Sequence, residues 1–200
     1  MKLTKQPRTF VIALKQYHIS ISQVKNCLAS AKTHGWDIEI FWGTNGNTLT
    51  LDSWDEIGVK PLLHKGSMDK LGTWGCFFSH WRLWNLCVEL NEPIVILEHD
   101  AIIECPWKEI DISDSLIKLH EPLFSDDPTW KYPDPDSGWG TCSTQAYCIT
   151  PEHATKLISF TKNVGGFAAD RILGSYVIDV KHTYPSIVSA RHIYSTTANL

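Results

Sequence analysis

The chain has 200 residues, 43% of them hydrophobic, with a net charge of -4 and a pI near 6.1. That length suits one globular domain whose core needs neither disulfides nor a structural metal. The acidic balance, with no run of Lys or Arg able to neutralise a row of phosphates, argues against a nucleic-acid partner or an acidic membrane surface.

Taken in chain order, Phe10 to Leu14 is a short apolar run rich in β formers and fits a buried first strand. Ser20 to His34 places Ile21, Val24, Leu28 and Ala31 on one helical face and stops at Gly35. Asp37 to Trp42 alternates as a second strand, so the opening is a βαβ unit with parallel pairing. Gly43 to Thr50 is a loop by composition, and Asp52 is placed to cap a short helical turn through Trp54 and Ile57.

Gly75 to Leu90 carries the strongest helical pattern, with Phe77, Trp81, Trp84 and Val88 on one stripe beside Cys76, His80, Leu83 and Cys87. So wide an apolar face predicts a helix buried on most of its circumference. Asn91-Glu92-Pro93 ends it, and Ile94 to Leu97 reads as a central strand covered on both faces. A short helix is expected within Asp111 to His120. Glu121 to Gly140, rich in Pro and Asp, reads as a functional loop or a mobile insertion. Thr141 to Ile149 predicts a strand, and Thr150-Pro151-Glu152 starts a helix with cap, N1 proline and early acid. Ala168 to Tyr176 predicts a short helix and Val177 to Tyr184 a last strand.

The six cysteines (Cys27, Cys76, Cys87, Cys105, Cys142 and Cys148) include no Cys-x-x-Cys pair and no zinc-type spacing with histidine; several sit in apolar patterns as small core residues. The start, MKLTKQPRTFVIAL, has too short an apolar run for a signal peptide, and no segment reaches membrane-spanning length. The expectation is an intracellular, cytoplasmic protein in a reduced compartment.

Ligands of open α/β sheets bind outside the carboxyl ends of the strands, where loops diverge and helix N-termini point. Glu98 and Asp100 fall at that end of the most buried strand. Residues two apart on extended backbone share a side, so both carboxylates can reach one cation, with His99 pointing elsewhere or closing the shell from the turn. A hard divalent ion held by one or two carboxylates completes its shell with water and phosphate oxygens, which points to diphosphate chemistry. The structural alternative is that either acid caps a turn.

The segment Gly75-Cys76-x-x-Ser79-His80, followed by Trp84 and then Ile96-Leu97-Glu98-His99-Asp100, resembles the GC-x-x-SH and ILEDD signatures of glycosyltransferase family 25, the lipooligosaccharide and collagen galactosyltransferase type. Gly140 with Ala146-Tyr147-Cys148-Ile149 and Ala154 is similar to its G-x-x-x-Y segment, and Ala169-Asp170-Arg171-Ile172-Leu173 to its V-D-x-x-L segment. The resemblance implies a GT-A-like α/β fold, a Rossmann-like mixed sheet flanked by helices in one domain. Residues 1–105 would be the nucleotide-sugar half and 106–200 the acceptor half. It implies hexose transfer, of galactose or glucose, from a UDP-sugar to a glycan or glycosylated acceptor, with Mn2+ or Mg2+ and with inversion.

By the same resemblance Glu98 and Asp100 take the place of the acidic metal motif, with Asp100 a direct ligand. His99 stands where the family has Asp; imidazole ligates manganese, so the change either shifts metal preference or marks weakened catalysis. Asp170 is the candidate general base or acceptor-orienting group, with a helix N-cap as its structural alternative. Ser79 and His80 are candidates for the nucleotide site, His80 alternatively being a core histidine. Arg191 and His192 either meet the diphosphate and complete the metal shell or belong to a solvated tail. Trp81 and Trp84 read as core, Trp130 and Trp139 as acceptor contacts. Two rival functions share the pattern: a non-catalytic sugar- or protein-binding member of the same fold, and another metal-dependent nucleotidyl or phosphoryl transferring enzyme.

Overall fold

A computed structural model describes residues 1–62, 70–120, 143–174 and 177–190. The opening βαβ unit forms as expected: β2 (Arg8–Ala13) and β3 (Glu39–Trp42) pair in parallel around α1 (His18–Thr33). A two-residue strand, β1 (Lys2–Leu3), precedes them. The short helix α2 (Leu51–Glu56) is capped by Thr50 rather than Asp52; the Thr50 N–H donates to Ser53 Oγ at 3.2 Å, and Asp52 lies in the first turn. The long helix α3 (Leu71–Leu90) ends at Asn91, whose φ of 51° is the left-handed conformation that asparagine tolerates. β4 (Ile94–Glu98) follows at once.

The expected helix within Asp111 to His120 is absent. That stretch instead holds β6 (Ile110–Asp111) and β7 (Leu116–Lys118), preceded by β5 (Ala101–Ile103). The reason is tertiary. Leu116 to His120 are all buried, and β7 is drawn between β8 (Ala146–Ile149) and β9 (Val180–His182), so cross-strand pairing overrides a weak local preference. β8 and β9 are shorter than the runs predicted for them, as α5 (Ala169–Ile172) is shorter than its run, whereas α4 (Pro151–Val164) starts with the Thr150 cap and N1 proline as read. β10 (Val188–Ala190) pairs with β5, and β1 with β6; neither ladder was foreseen.

The main sheet has the order β3-β2-β4-β8-β7-β9, and only β8 runs against the others. Alternation along its strands divides the core in two. Phe10, Ile12, Ile94, Ile96 and Tyr147 face α3 and α4, while Val11, Ala13, Val95, Leu97 and Cys148 face α1 and the β5–β10 ladder. This is a mixed, Rossmann-like α/β sheet covered on both faces, in agreement with the fold class expected. No helix of the described residues is long and apolar enough to cross a membrane.

One close approach ties the loop after β3 to the sequence motif in α3. A Cβ on Gly75 would lie 2.7 Å from the Thr44 carbonyl oxygen, and one on Gly46 would lie 1.7 Å from that of Leu71. Both neighbours are backbone, so neither can move aside cheaply. Gly46→Ala is expected to lower stability by about 1–3 kcal/mol, the usual cost of overfilling a packed site. An unchanged thermal midpoint would show that this loop is not seated on α3.

Candidate active site

The chain leaves β2 for β3 on one side and returns across β2 to β4 on the other, so the loops after β2 and β4 part at this point. A crevice outside the carboxyl ends of such strands is where open α/β sheets take ligands. Glu98 ends β4 there, in register with Ile12 of β2. Because Ile94 and Ile96 face α3, Glu98 faces α3 too.

Three groups converge on its Oε1: the Thr144 hydroxyl, His80 Nε2 at 3.4 Å and the Cys76 thiol at 4.0 Å. Among the described residues none bonds to Oε2, and the Glu98 side chain keeps 26% of its surface exposed. Burial by itself would raise the Glu98 carboxyl pKa. The hydrogen bond from His80, with that from the Thr144 hydroxyl, outweighs it and holds the group below the usual carboxylate range. The Cys76 thiol is pushed well up by burial and by the charges of Glu98 and Asp170, so it stays protonated.

Cys76, His80 and Glu98 offer ligand atoms within 4.8 Å of one another, the single such trio among the described residues. The predicted trio of Glu98, His99 and Asp100 is not drawn into a cluster of that kind. His99 and Asp100 form the turn after β4, and His99 Nε2 and Asp100 Oδ1 are each buried without a hydrogen-bond partner among the described residues. Burial, then the neighbouring Glu98 charge, raises the Asp100 pKa; burial lowers that of His99, against the pull of Glu98. His99 Nε2 and Asp100 Oδ1 have the ligand chemistry that a divalent cation takes, although with Glu98 their atoms are not gathered as those of Cys76, His80 and Glu98 are. Two carboxylates with an imidazole suit Mn2+, and the carboxylates alone suit Mg2+.

Ser79 is engaged by backbone: it donates to the Gly75 carbonyl at 2.6 Å and accepts from the Thr44 N–H at 2.9 Å, fixing the 43–46 loop. Trp84 is fully buried, as read, and Trp81 packs on the same core. Asp170 lies inside α5, whose N-cap is Ala168, and its Oδ1 accepts the Arg171 N–H at 2.9 Å. Burial raises its pKa; the Lys118 charge opposes that, and Glu98 is near enough to add to it. Arg191, His192, Trp130, Trp139 and Cys142 lie outside the described residues.

Three neighbours of the site escaped the sequence reading. Thr144 binds Glu98. Lys118, fully buried at the end of β7, donates from Nζ to the Ser143 carbonyl. Cys76 joins His80 through an i, i+4 spacing that places both on one helix face, a signal visible in the sequence. Lys118 had no such signal, because its place depends on β7 being a strand.

A family model described as glycosyltransferase family 25 (LPS biosynthesis protein) matches residues 6–131, more than half of the chain. The chain belongs to glycosyltransferase family 25. The matched span takes in Ser79, His80, Glu98, His99 and Asp100, while Asp170, Arg191 and His192 lie beyond it. A glycosyltransferase 25 family member from Aedes aegypti is 38% identical over 81 residues, which cover 37% of this chain and 13% of that relative. Two solved structures are similar. The apo-form glycosyltransferase GlyE of Streptococcus pneumoniae TIGR4 has a TM-score of 0.46 at 12% identity, over 88% of this chain and 45% of that one. A glycosyltransferase involved in glycosylation of the major capsid of PBCV-1 has a TM-score of 0.45 at 10% identity, over 96% of each chain.

Proposed function

We propose that this family 25 chain transfers a hexose, galactose or glucose, from a UDP-sugar to a hydroxyl of a glycan or glycosylated acceptor. Family membership supports glycosyl transfer. The observation that carries the site assignment is Glu98 at a strand's carboxyl end, with one carboxylate oxygen tied down and, among the described residues, no partner on the other or on the nearby Asp100 Oδ1.

Glu98 and Asp100 would hold Mn2+ or Mg2+, with His99 favouring Mn2+. Such an ion, when bound, neutralises the charge growing on the departing diphosphate. Asp170 takes the proton from the acceptor hydroxyl as that oxygen bonds to the anomeric carbon, with inversion there. Burial serves this role by raising the basicity of its carboxylate. The first 105 residues supply the donor site and the remainder the acceptor site, and the reaction takes place in the cytoplasm.

Titration calorimetry should show UDP binding that depends on Mn2+, and wild-type protein that binds no UDP with the metal present would sink this reading. Asp100→Ala should abolish turnover while leaving the circular dichroism spectrum intact; retained turnover would remove Asp100 from the metal site.

A further inference from the structure

The Glu98 carboxylate is gripped from behind by a chain of buried polar groups that begins at Trp84. Trp84 Nε1 donates to the Tyr147 hydroxyl at 2.9 Å, and that hydroxyl lies 2.8 Å from His80 Nδ1. His80 Nε2 then lies 3.4 Å from Glu98 Oε1. Trp84, Tyr147 and His80 are each at most 1% exposed, and the His80 ring stacks on that of Tyr147 with 25° between planes.

Proton accounting gives this chain a direction. Indole N–H can only donate, so Trp84 fills a lone pair of the Tyr147 oxygen. The Tyr147 proton then has one acceptor within reach among the described residues, His80 Nδ1. With Nδ1 accepting, the ring proton of a neutral imidazole sits on Nε2 and is donated to Glu98. The opposite tautomer would strand the Tyr147 proton in a dry core and turn a bare nitrogen lone pair toward a carboxylate, two costs at once.

We propose that His80, oriented by Tyr147 and Trp84, is a positioning residue. It donates Nε2–H to Glu98 Oε1 and, with the Thr144 hydroxyl, holds the carboxylate so that Oε2 stays free for the cation. This rests on the reading of Glu98 as a metal ligand. It also gives the Gly-Cys-x-x-Ser-His segment a division of labour: Gly75 and Ser79 seat the 43–46 loop, and His80 fixes the acid at the end of β4. The same proton assignment counts against Cys76, His80 and Glu98 acting together as a metal site, because a ligating nitrogen needs its lone pair.

Two substitutions separate holding Glu98 from filling the core. His80→Gln places an amide N–H near the position of Nε2 and keeps the donor to Glu98. His80→Asn reaches only as far as Nδ1, so it can still meet Tyr147 but not Glu98. In calorimetric titrations of Mn2+ with UDP present, His80→Asn is expected to weaken metal affinity roughly 10–100-fold, the usual effect of removing a group that orients a ligand. His80→Gln, which keeps the donor, should lose far less affinity than His80→Asn, and Thr144→Val, which removes the other strong donor, should follow His80→Asn.

A 15N NMR spectrum of the metal-free wild type should show the His80 proton on Nε2. The proposal is overturned alone if the proton is on Nδ1, if His80→Asn binds Mn2+ as the wild type does, or if both His80 variants lose affinity equally in step with their thermal midpoints. If the wild type binds no Mn2+ with UDP, this inference and the reading beneath it fall together.

Discussion

Glu98→Gln is expected to cost both turnover and stability, whereas Asp170→Asn is expected to cost turnover alone. The Glu98 carboxylate accepts from Thr144, His80 and Cys76 in a site that holds its pKa below the usual range. A group with a depressed folded-state pKa stabilises the fold above its ordinary titration range, and that stability is lost as pH falls toward the depressed value. A glutamine oxygen can accept from the same donors, but hydrogen bonds to a charged acceptor are the stronger ones, so the exchange should cost about 1–2 kcal/mol.

Asp170 has the opposite sign. Burial raises its pKa despite the Lys118 charge, so its ionised form is the less favoured one in the fold. The penalty is present above the ordinary carboxylate range and absent below it. The Asp170→Asn variant should therefore melt no lower than wild type at neutral pH, with any gain vanishing in acid. Its turnover should fall by roughly 10²–10⁴-fold, the usual contribution of a general base. Thermal melts at neutral and acid pH, set beside initial rates, decide the pair. A lowered midpoint for Asp170→Asn would mean that the acid holds the fold together rather than serving chemistry.

The second large effect is expected at Trp54. It is fully buried, stacked on Phe77 at 4.9 Å and met edge-on by Trp74 at 5.5 Å and Phe78 at 4.9 Å. This cluster joins α2 to the N-terminal half of α3, which carries Cys76, Ser79 and His80. Trp54→Ala removes one of the largest side chains of the core and should destabilise the protein by about 3–5 kcal/mol. Trp54→Phe should cost less, since most of the contact area survives. Urea unfolding of the two variants would measure the difference, and equal losses would show that the part of the indole that phenylalanine lacks, not the contact area the two rings share, is what packs the site.

Much of the fold was legible because local signals and burial agree along the chain. The βαβ opening, the broad apolar face of α3, the buried β4 and the capped start of α4 each declared themselves through periodicity or cap chemistry. Asp111 to His120 did not, since its three-residue strand owes its conformation to β8 and β9 on either side. The ladders of β1 with β6 and β5 with β10 were hidden for the same reason: two- or three-residue strands carry no readable period.

At the site, residue order and local pattern were enough for the family, for the strand that ends in Glu98 just before Asp100, and for the helix that carries Gly75, Ser79 and His80. What each group touches came from tertiary packing. It turned Glu98 toward α3 and bound one oxygen with Thr144 from just before β8; it left His99 Nε2 and Asp100 Oδ1 partnerless among the described residues. It also set Tyr147 against both His80 and Trp84. Those relations depend on β8 entering the sheet antiparallel beside β4, and strand order arises from packing between segments far apart in the chain.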